Sequence, residues 1–240
     1  MSQTIISLEG VTLQFPLQQG PIGWLKSLLF RQPPPVYVAL KNINLDVKQG
    51  EVLGIIGRNG SGKSTILRVM TGILPADEGQ VLSSGTQTLL AGLGTGFSNH
   101  QTGRENAYIF GSILGKSNAQ IKEKMDEIIS FSELQEFIDQ PLRTYSAGMK
   151  ARLGLAVAGA IAPDILLIDE VLGVGDPKFR EKSKSRILEM VEGAGAVVMV
   201  SHSFGLMKSI CTRIAHIHKG EVMFIGDPEA AIKSYYEVDG

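Results

Sequence analysis

The chain has 240 residues, 43% of them hydrophobic and 20% charged, with a formal net charge of −1 and one cysteine. This composition suits a globular chain with enough apolar material for a core. It excludes an intrachain disulfide framework and lacks the basic excess that a large nucleic-acid footprint needs. Met1-Ser2-Gln3-Thr4 has no basic stretch leading into an apolar run, so no secretory signal is expected. No run approaches the roughly 18 apolar residues of a membrane span. A soluble, cytoplasmic protein is expected, able to reach a membrane through partners. Cys211 reads as a small buried apolar residue.

Taken in order, Thr4–Leu8 and Val11–Phe15 read as two strands. Pro16 to Val36 is an insertion with Trp24, an apolar group (Leu25, Leu28, Leu29, Phe30), Lys26, Arg31 and the prolines Pro33 to Pro35. The prolines end any helix near Phe30 or Arg31. Two readings stay open: an amphipathic helix for a membrane interface or a partner, and a hairpin excursion folded on its own domain. Ala39–Val47 alternates as a half-exposed strand, and Val52–Ile56 is an apolar run that reads as a buried one. Gly79–Leu82 and Thr88–Leu90 look like further strands, so antiparallel-looking strands gather at the front.

Residues about 95–160 read as a helical block. One helix begins near Thr102. A second opens on a capping box at Ser117 and Gln120, with Ile121, Met125, Ile128 and Ile129 on one face. A third, rich in alanine, runs from Ser146 to Ile161. Ile165–Ile168 is continuously apolar, as in a parallel strand covered on both faces. Helix (Pro177 to about Glu192), strand (Ala196–Val200), helix (about Phe204–Ile210) and strand (Ile214–His218) follow. A turn at Lys219-Gly220, a strand at Glu221–Ile225 and a helix after Pro228 complete the chain. That alternation predicts βαβ units and a parallel sheet.

The stretch with the clearest chemistry is Gly57-Arg58-Asn59-Gly60-Ser61-Gly62-Lys63-Ser64-Thr65, which fits G-x-x-x-x-G-K-[ST] between a strand and a helix. Its glycines let backbone N–H groups converge on phosphate oxygens, and the helix N-terminus adds its dipole. Lys63 would reach the β- and γ-phosphates, and Ser64 would ligate Mg²⁺. Asp169 and Glu170 stand at the C-terminal end of the Ile165–Ile168 strand, the edge where open α/β sheets bind ligands. Asp169 would hold Mg²⁺ and Glu170 would orient or deprotonate the attacking water. Thr144-Tyr145-Ser146-Ala147-Gly148-Met149-Lys150 starts a helix, with Ser146 able to present a hydroxyl and N–H groups to an anion.

Four motifs in fixed order carry a family resemblance: the phosphate loop, Tyr145-Ser146-Ala147-Gly148-Met149, Leu167-Ile168-Asp169-Glu170, and the strand ending in Ser201-His202. The set resembles the ATP-binding subunits of ABC transporters over essentially the whole chain. The residues around Ser146, the run Asp169 to Asp176, Thr102-Gly103-Arg104-Glu105-Asn106 and the insertion resemble the subgroup that exports O-antigen, capsule and teichoic-acid chains. The resemblance implies a single α/β domain over 1–240. Its P-loop NTPase (RecA-like) core would have a mostly parallel sheet, an N-terminal antiparallel β subdomain and an inserted helical subdomain.

It further implies an ATPase that uses ATP and Mg²⁺. Gly57 to Thr65 would hold the phosphates, and Tyr145, Ser146 and Gly148 would form a signature loop that contacts ATP on a second copy. Glu170 would be the catalytic base, Asp176 would lie in a loop crossing the dimer interface, and His202 would sense the γ-phosphate. The adenine-stacking aromatic falls on Phe15 or Tyr37, with Phe15 preferred. The implied partners are a second copy of the chain and a multi-span permease at the cytoplasmic face of the inner membrane. A lipid-linked polysaccharide would be engaged indirectly, and nucleic acid not at all. One departure stands out: Gly92 to His100 lacks the family's magnesium-ligating glutamine, and Gln101 comes too late. The alternatives are another ABC transporter, an ABC ATPase acting on nucleic acid or ribosomes, which the charge disfavours, and a nucleotide switch with little turnover. His216 and His218 share a strand face with no third metal ligand and read as structural.

Overall fold

A computed structural model describes residues 3–17, 35–90, 94, 96–160, 164–169 and 177–240. The strands are β1 Thr4–Pro16, β2 Val36–Lys48, β3 Val52–Ile56, β4 Glu78–Ser83, β5 Gln87–Leu90, β6 Ile165–Asp169, β7 Ala196–Val200, β8 Arg213–His218 and β9 Glu221–Gly226. The helices are α1 Lys63–Met70, α2 Gly103–Ile113, α3 Asn118–Ser132, α4 Ala147–Gly159, α5 Pro177–Gly193, α6 Phe204–Ile210 and α7 Pro228–Asp239. The chain is α/β and divides into two compact units. One comprises Met1–Gln49, Leu53–Ser84 and Val200–Gly240; the other comprises Gly50–Val52 and Gly85–Met199.

In the first unit, β1 pairs antiparallel with β2 and with β4. The two strands expected before the insertion are one strand with a bulge. Gly10 sits at φ +65° and its N–H donates to Asn44 Oδ1 at 2.9 Å, while the register slips between Leu8 and Val11. An extra residue of this kind bends a strand without ending it. β1 and β2 stay paired out to Pro16 and Val36, and Leu17 N–H donates to Pro35 O at 2.9 Å. The insertion is thus entered and left at adjacent strand ends; its central stretch, with Trp24, Pro33 and Pro34, lies outside the described residues. β3 runs parallel to β8, and β8 antiparallel to β9. Gly54 is where the helical side closes on β3: a Cβ there would stand 2.6 Å from Met207 Cε and 2.9 Å from Cys211 Sγ. Burial pushes the Cys211 thiol up to about 12, as suits an inert packed residue.

In the second unit, β5 runs parallel to β6, with Gln87 opposite Ile165. β5 therefore does not belong with the antiparallel front strands. Asp164 makes the junction: its carboxylate accepts from Thr86 N–H at 2.8 Å and from the Thr86 hydroxyl at 2.7 Å. Ile165 to Ile168 are fully buried, as the unbroken apolar run requires. Capping boxes open both α2 (Thr102 with Glu105) and α3 (Ser117 with Gln120). Each cap contributes about 1 kcal/mol, whereas a buried Ile or Leu contributes about 1.5–3. The caps therefore set where the helices begin, and packing of Phe110, Ile121, Met125 and Ile128 holds them. Among the described residues no helix is long and apolar enough to cross a membrane.

Candidate functional site

The phosphate loop connects β3 to α1. Gly57, Gly60 and Gly62 lie at φ +152°, +80° and +110°, in the left-handed region where a side chain is strained. A Cβ on Gly57 would stand 2.1 Å from Ile217 O, and one on Gly62 would stand 3.0 Å from Ala39 O. α1 begins with no side-chain cap and no acid in its first turn. No side chain thus competes with an anion at the positive end of its dipole. Lys63 is buried, and its ammonium folds across the loop to donate to Gly57 O and Arg58 O, both at 2.8 Å. The buried Ser61 hydroxyl has no hydrogen-bond partner among the described residues. A polar group left so is costly unless something satisfies it, and a phosphate oxygen would. The arrangement offers one cation, one hydroxyl and a fan of amides to a polyphosphate.

Tyr37 reaches the same loop, its hydroxyl 3.4 Å from Gly60 O. Phe15 and Tyr37 are directly opposed across β1 and β2, so both rings stand on one face. Both are partly exposed. His202 is exposed just after β7, where the Ser203 N–H donates to the Ser201 hydroxyl at 3.1 Å.

In the second unit, Asp169 ends β6 directly after four fully buried residues, so its position is fixed by the strand. Ser146 caps α4, its hydroxyl accepting from Met149 N–H at 3.2 Å. Tyr145 is turned inward: its hydroxyl donates to Phe137 O at 2.6 Å, and burial pushes that hydroxyl up to about 12. It anchors the loop rather than presenting a ring to a ligand. Gly148 differs from the glycines of the phosphate loop. A Cβ there would meet only Ser146 Oγ, at 3.7 Å. Glycine costs a helix about 1 kcal/mol against alanine. The described packing of the chain does not require that cost, which fits a surface that something else must approach closely. Glu170 and Asp176 lie outside the described residues.

Asn106, which the sequence placed only within a family motif and gave no role, is fully buried in α2. Its amide oxygen accepts from Ser98 N–H at 2.7 Å, and its amide nitrogen donates to the carbonyls of Ser98, Gln101 and Thr102 at 3.0, 3.2 and 2.8 Å. Asn106 thereby shapes the segment where the expected glutamine is missing. Lys150 Nζ donates to Asn99 Oδ1 at 2.7 Å, tying that segment to the start of α4. The available signal was an amide at a core position of an amphipathic helix. The two strand histidines, read as structural, have a partner in the carboxylate of Asp239. Among the described residues no group of three His, Cys, Asp or Glu side chains could hold a metal ion.

Comparison with known proteins adds to this geometry. A family model described as ABC transporter matches residues 40–173. The chain is 42% identical to the teichoic acids export ATP-binding protein TagH of Enterococcus faecalis, over 94% of this chain and 51% of that protein. It is 37% identical to the O-antigen export system ATP-binding protein RfbB of Klebsiella pneumoniae, over 97% of this chain and 98% of that protein. The chain thus spans about half the length of one curated relative it matches and nearly all of another. A solved ATP-binding subunit of an ABC transporter superposes with a TM-score of 0.75 at 19% identity, over 99% of this chain and 95% of that one. At that identity the likeness speaks for the fold.

Proposed function

The chain belongs to the ABC transporter family, and on that premise we propose that it is the ATP-hydrolysing subunit of an exporter for a lipid-linked polysaccharide. The cargo would be of the O-antigen, capsule or teichoic-acid kind, moved across the cytoplasmic membrane. The observation that carries the ATPase half is the phosphate loop: an uncapped helix start, strained glycines and a buried Lys63 within one short loop. The cargo half is supported by relatives named for teichoic-acid and O-antigen export.

In this reading Lys63 exchanges its two carbonyl partners for β- and γ-phosphate oxygens, and the amides of residues 57–65 take the rest of the charge. Ser64 and Asp169 are hard oxygen donors of the kind Mg²⁺ takes. When bound, that ion would offset charge on the β- and γ-phosphates. Glu170 accepts the proton of the attacking water, and His202 hydrogen-bonds the γ-phosphate. Ser146 and Gly148 serve the ATP of a second copy, with Asp176 at the crossing between copies. Adenine stacks on the Phe15 and Tyr37 pair, and the reach of Tyr37 to Gly60 favours Tyr37 as the platform. The second copy and a multi-span permease hold the chain at the cytoplasmic face of the membrane.

The test is made in the cell of origin. With Lys63→Ala as the sole copy, the surface polysaccharide is expected to vanish while its lipid-linked form accumulates inside. Normal surface polysaccharide with that variant would refute the exporter assignment.

A further inference from the structure

The phosphate loop is backed by a segment to which the proposed chemistry gives no part. β8 lies beside β3 with His216 opposite Ile56, the residue before Gly57. The carbonyl oxygen of Ile217 fills the place of a Gly57 side chain, 2.1 Å from where a Cβ would be. Next comes the turn between β8 and β9, with Lys219 and Gly220 at φ +47° and +80°. Gly220 N–H donates to Ser61 O at 2.9 Å, and Gly220 O accepts from Lys41 N–H at 2.8 Å. A Cβ at Gly220 would stand 2.6 Å from Ala39 O. Residues 216–220 thus touch the loop at its first glycine and at its buried serine. Interiors are close-packed, so a shift of this segment must move the loop.

What fixes 216–220 is a polar clasp at the last turn of α7. His216 is fully buried; its Nε2 lies 2.9 Å from Asp239 Oδ2, and its Nδ1 lies 2.9 Å from Ser234 Oγ. His218 Nδ1 lies 2.7 Å from Asp239 Oδ1. The two histidines flank Ile217, so one carboxylate grips the chain on both sides of the carbonyl that abuts Gly57. Burial alone would push the Asp239 carboxyl up, but the two histidines outweigh it and hold the carboxyl below its usual range. α7 also buries Ala231 and Ile232, which could seat the helix without any buried charge. A buried, fully partnered charge adds little net stability, and one attested use of such a charge is to select one register.

We propose that Asp239 is a positioning residue for the phosphate loop. Through His216 and His218 it holds Ile217 and Gly220 against Gly57 and Ser61, so nucleotide affinity depends on how the last turn of α7 is seated. A partner or segment that lifts that turn would lower ATP affinity without touching the site. The inference rests on the loop being the ATP site.

The test compares the wild-type chain with Asp239→Asn, which keeps the shape and removes the charge. Equilibrium binding of MgATP and steady-state hydrolysis are both measured. Kd and KM are expected to rise about three- to tenfold, within the roughly two- to thirtyfold span of couplings that act through intermediate residues, while kcat stays within about twofold. Gly220→Ala should shift Kd and KM the same way, and it decides the matter if Asp239→Asn does not fold. Lys208→Ala removes an exposed ion pair with Glu229 near the other end of α7, at 2.9 Å, and should leave all three values unchanged. An unchanged Kd in Asp239→Asn overturns the proposal. So does a lower kcat at unchanged KM in a preparation whose thermal unfolding matches the wild type. A wild type that binds no ATP overturns the site assignment itself, a distinguishable failure.

Discussion

Glu170→Gln is expected to keep ATP binding and to lower phosphate release at least about 10²-fold, the usual contribution of a positioned general base. The change removes the proton acceptor while keeping size and hydrogen-bonding capacity. Residue 170 follows Asp169 at the end of a strand whose four preceding residues are fully buried, and that strand should keep its packing in the variant. Because ATP binds but is not cleaved, the variant should also collect as an ATP-bound dimer. Phosphate release and size-exclusion chromatography with and without MgATP check both halves. Near-normal hydrolysis would remove Glu170 from the role.

The second large effect is expected at Gly148, and its value lies in separating stability from activity. Alanine in place of glycine within a helix stabilises by roughly 0.5–1 kcal/mol. The described residues leave room for the added methyl, since Ser146 Oγ is 3.7 Å away. Gly148→Ala should therefore melt no lower than the wild type. Its hydrolysis should nevertheless fall by about 10² or more if, as proposed, a neighbouring copy's γ-phosphate approaches the first turn of α4, since a Cβ there would keep it from its donors. Thermal unfolding and phosphate release on one preparation make the comparison. Wild-type activity with raised stability would mean that nothing approaches this surface during turnover. Gly57 makes the contrast: a Cβ there meets Ile217 O, so its loss would confound packing with function.

Much of this was legible in the sequence because it is local. The phosphate loop, the Ser146 helix start, the Asp169 strand end and the capping box at Ser117 are each set by residues within a few positions of one another. Where several such signals followed in order, they carried the family as well. Contacts between distant positions were not legible. Thr4–Leu8 and Val11–Phe15 read as two strands, but pairing with β2 and β4 holds them as one strand with a bulge. β5 is too short for its pattern to give a direction, and its partner lies more than seventy residues later. His216 and His218 read as structural, but their partner stays hidden until α7 brings Asp239 back to them. The sequence preference for Phe15 over Tyr37 had no access to the 3.4 Å reach of the Tyr37 hydroxyl to Gly60 O.

The most direct check is the rate of ATP hydrolysis per chain as the protein is diluted, read beside its state of association. If each ATP is completed by Lys63 from one copy and Ser146 from another, the rate per chain should fall steeply as dimers dissociate and approach zero for single copies. A rate per chain that stays constant down to concentrations where only single copies remain would contradict the account.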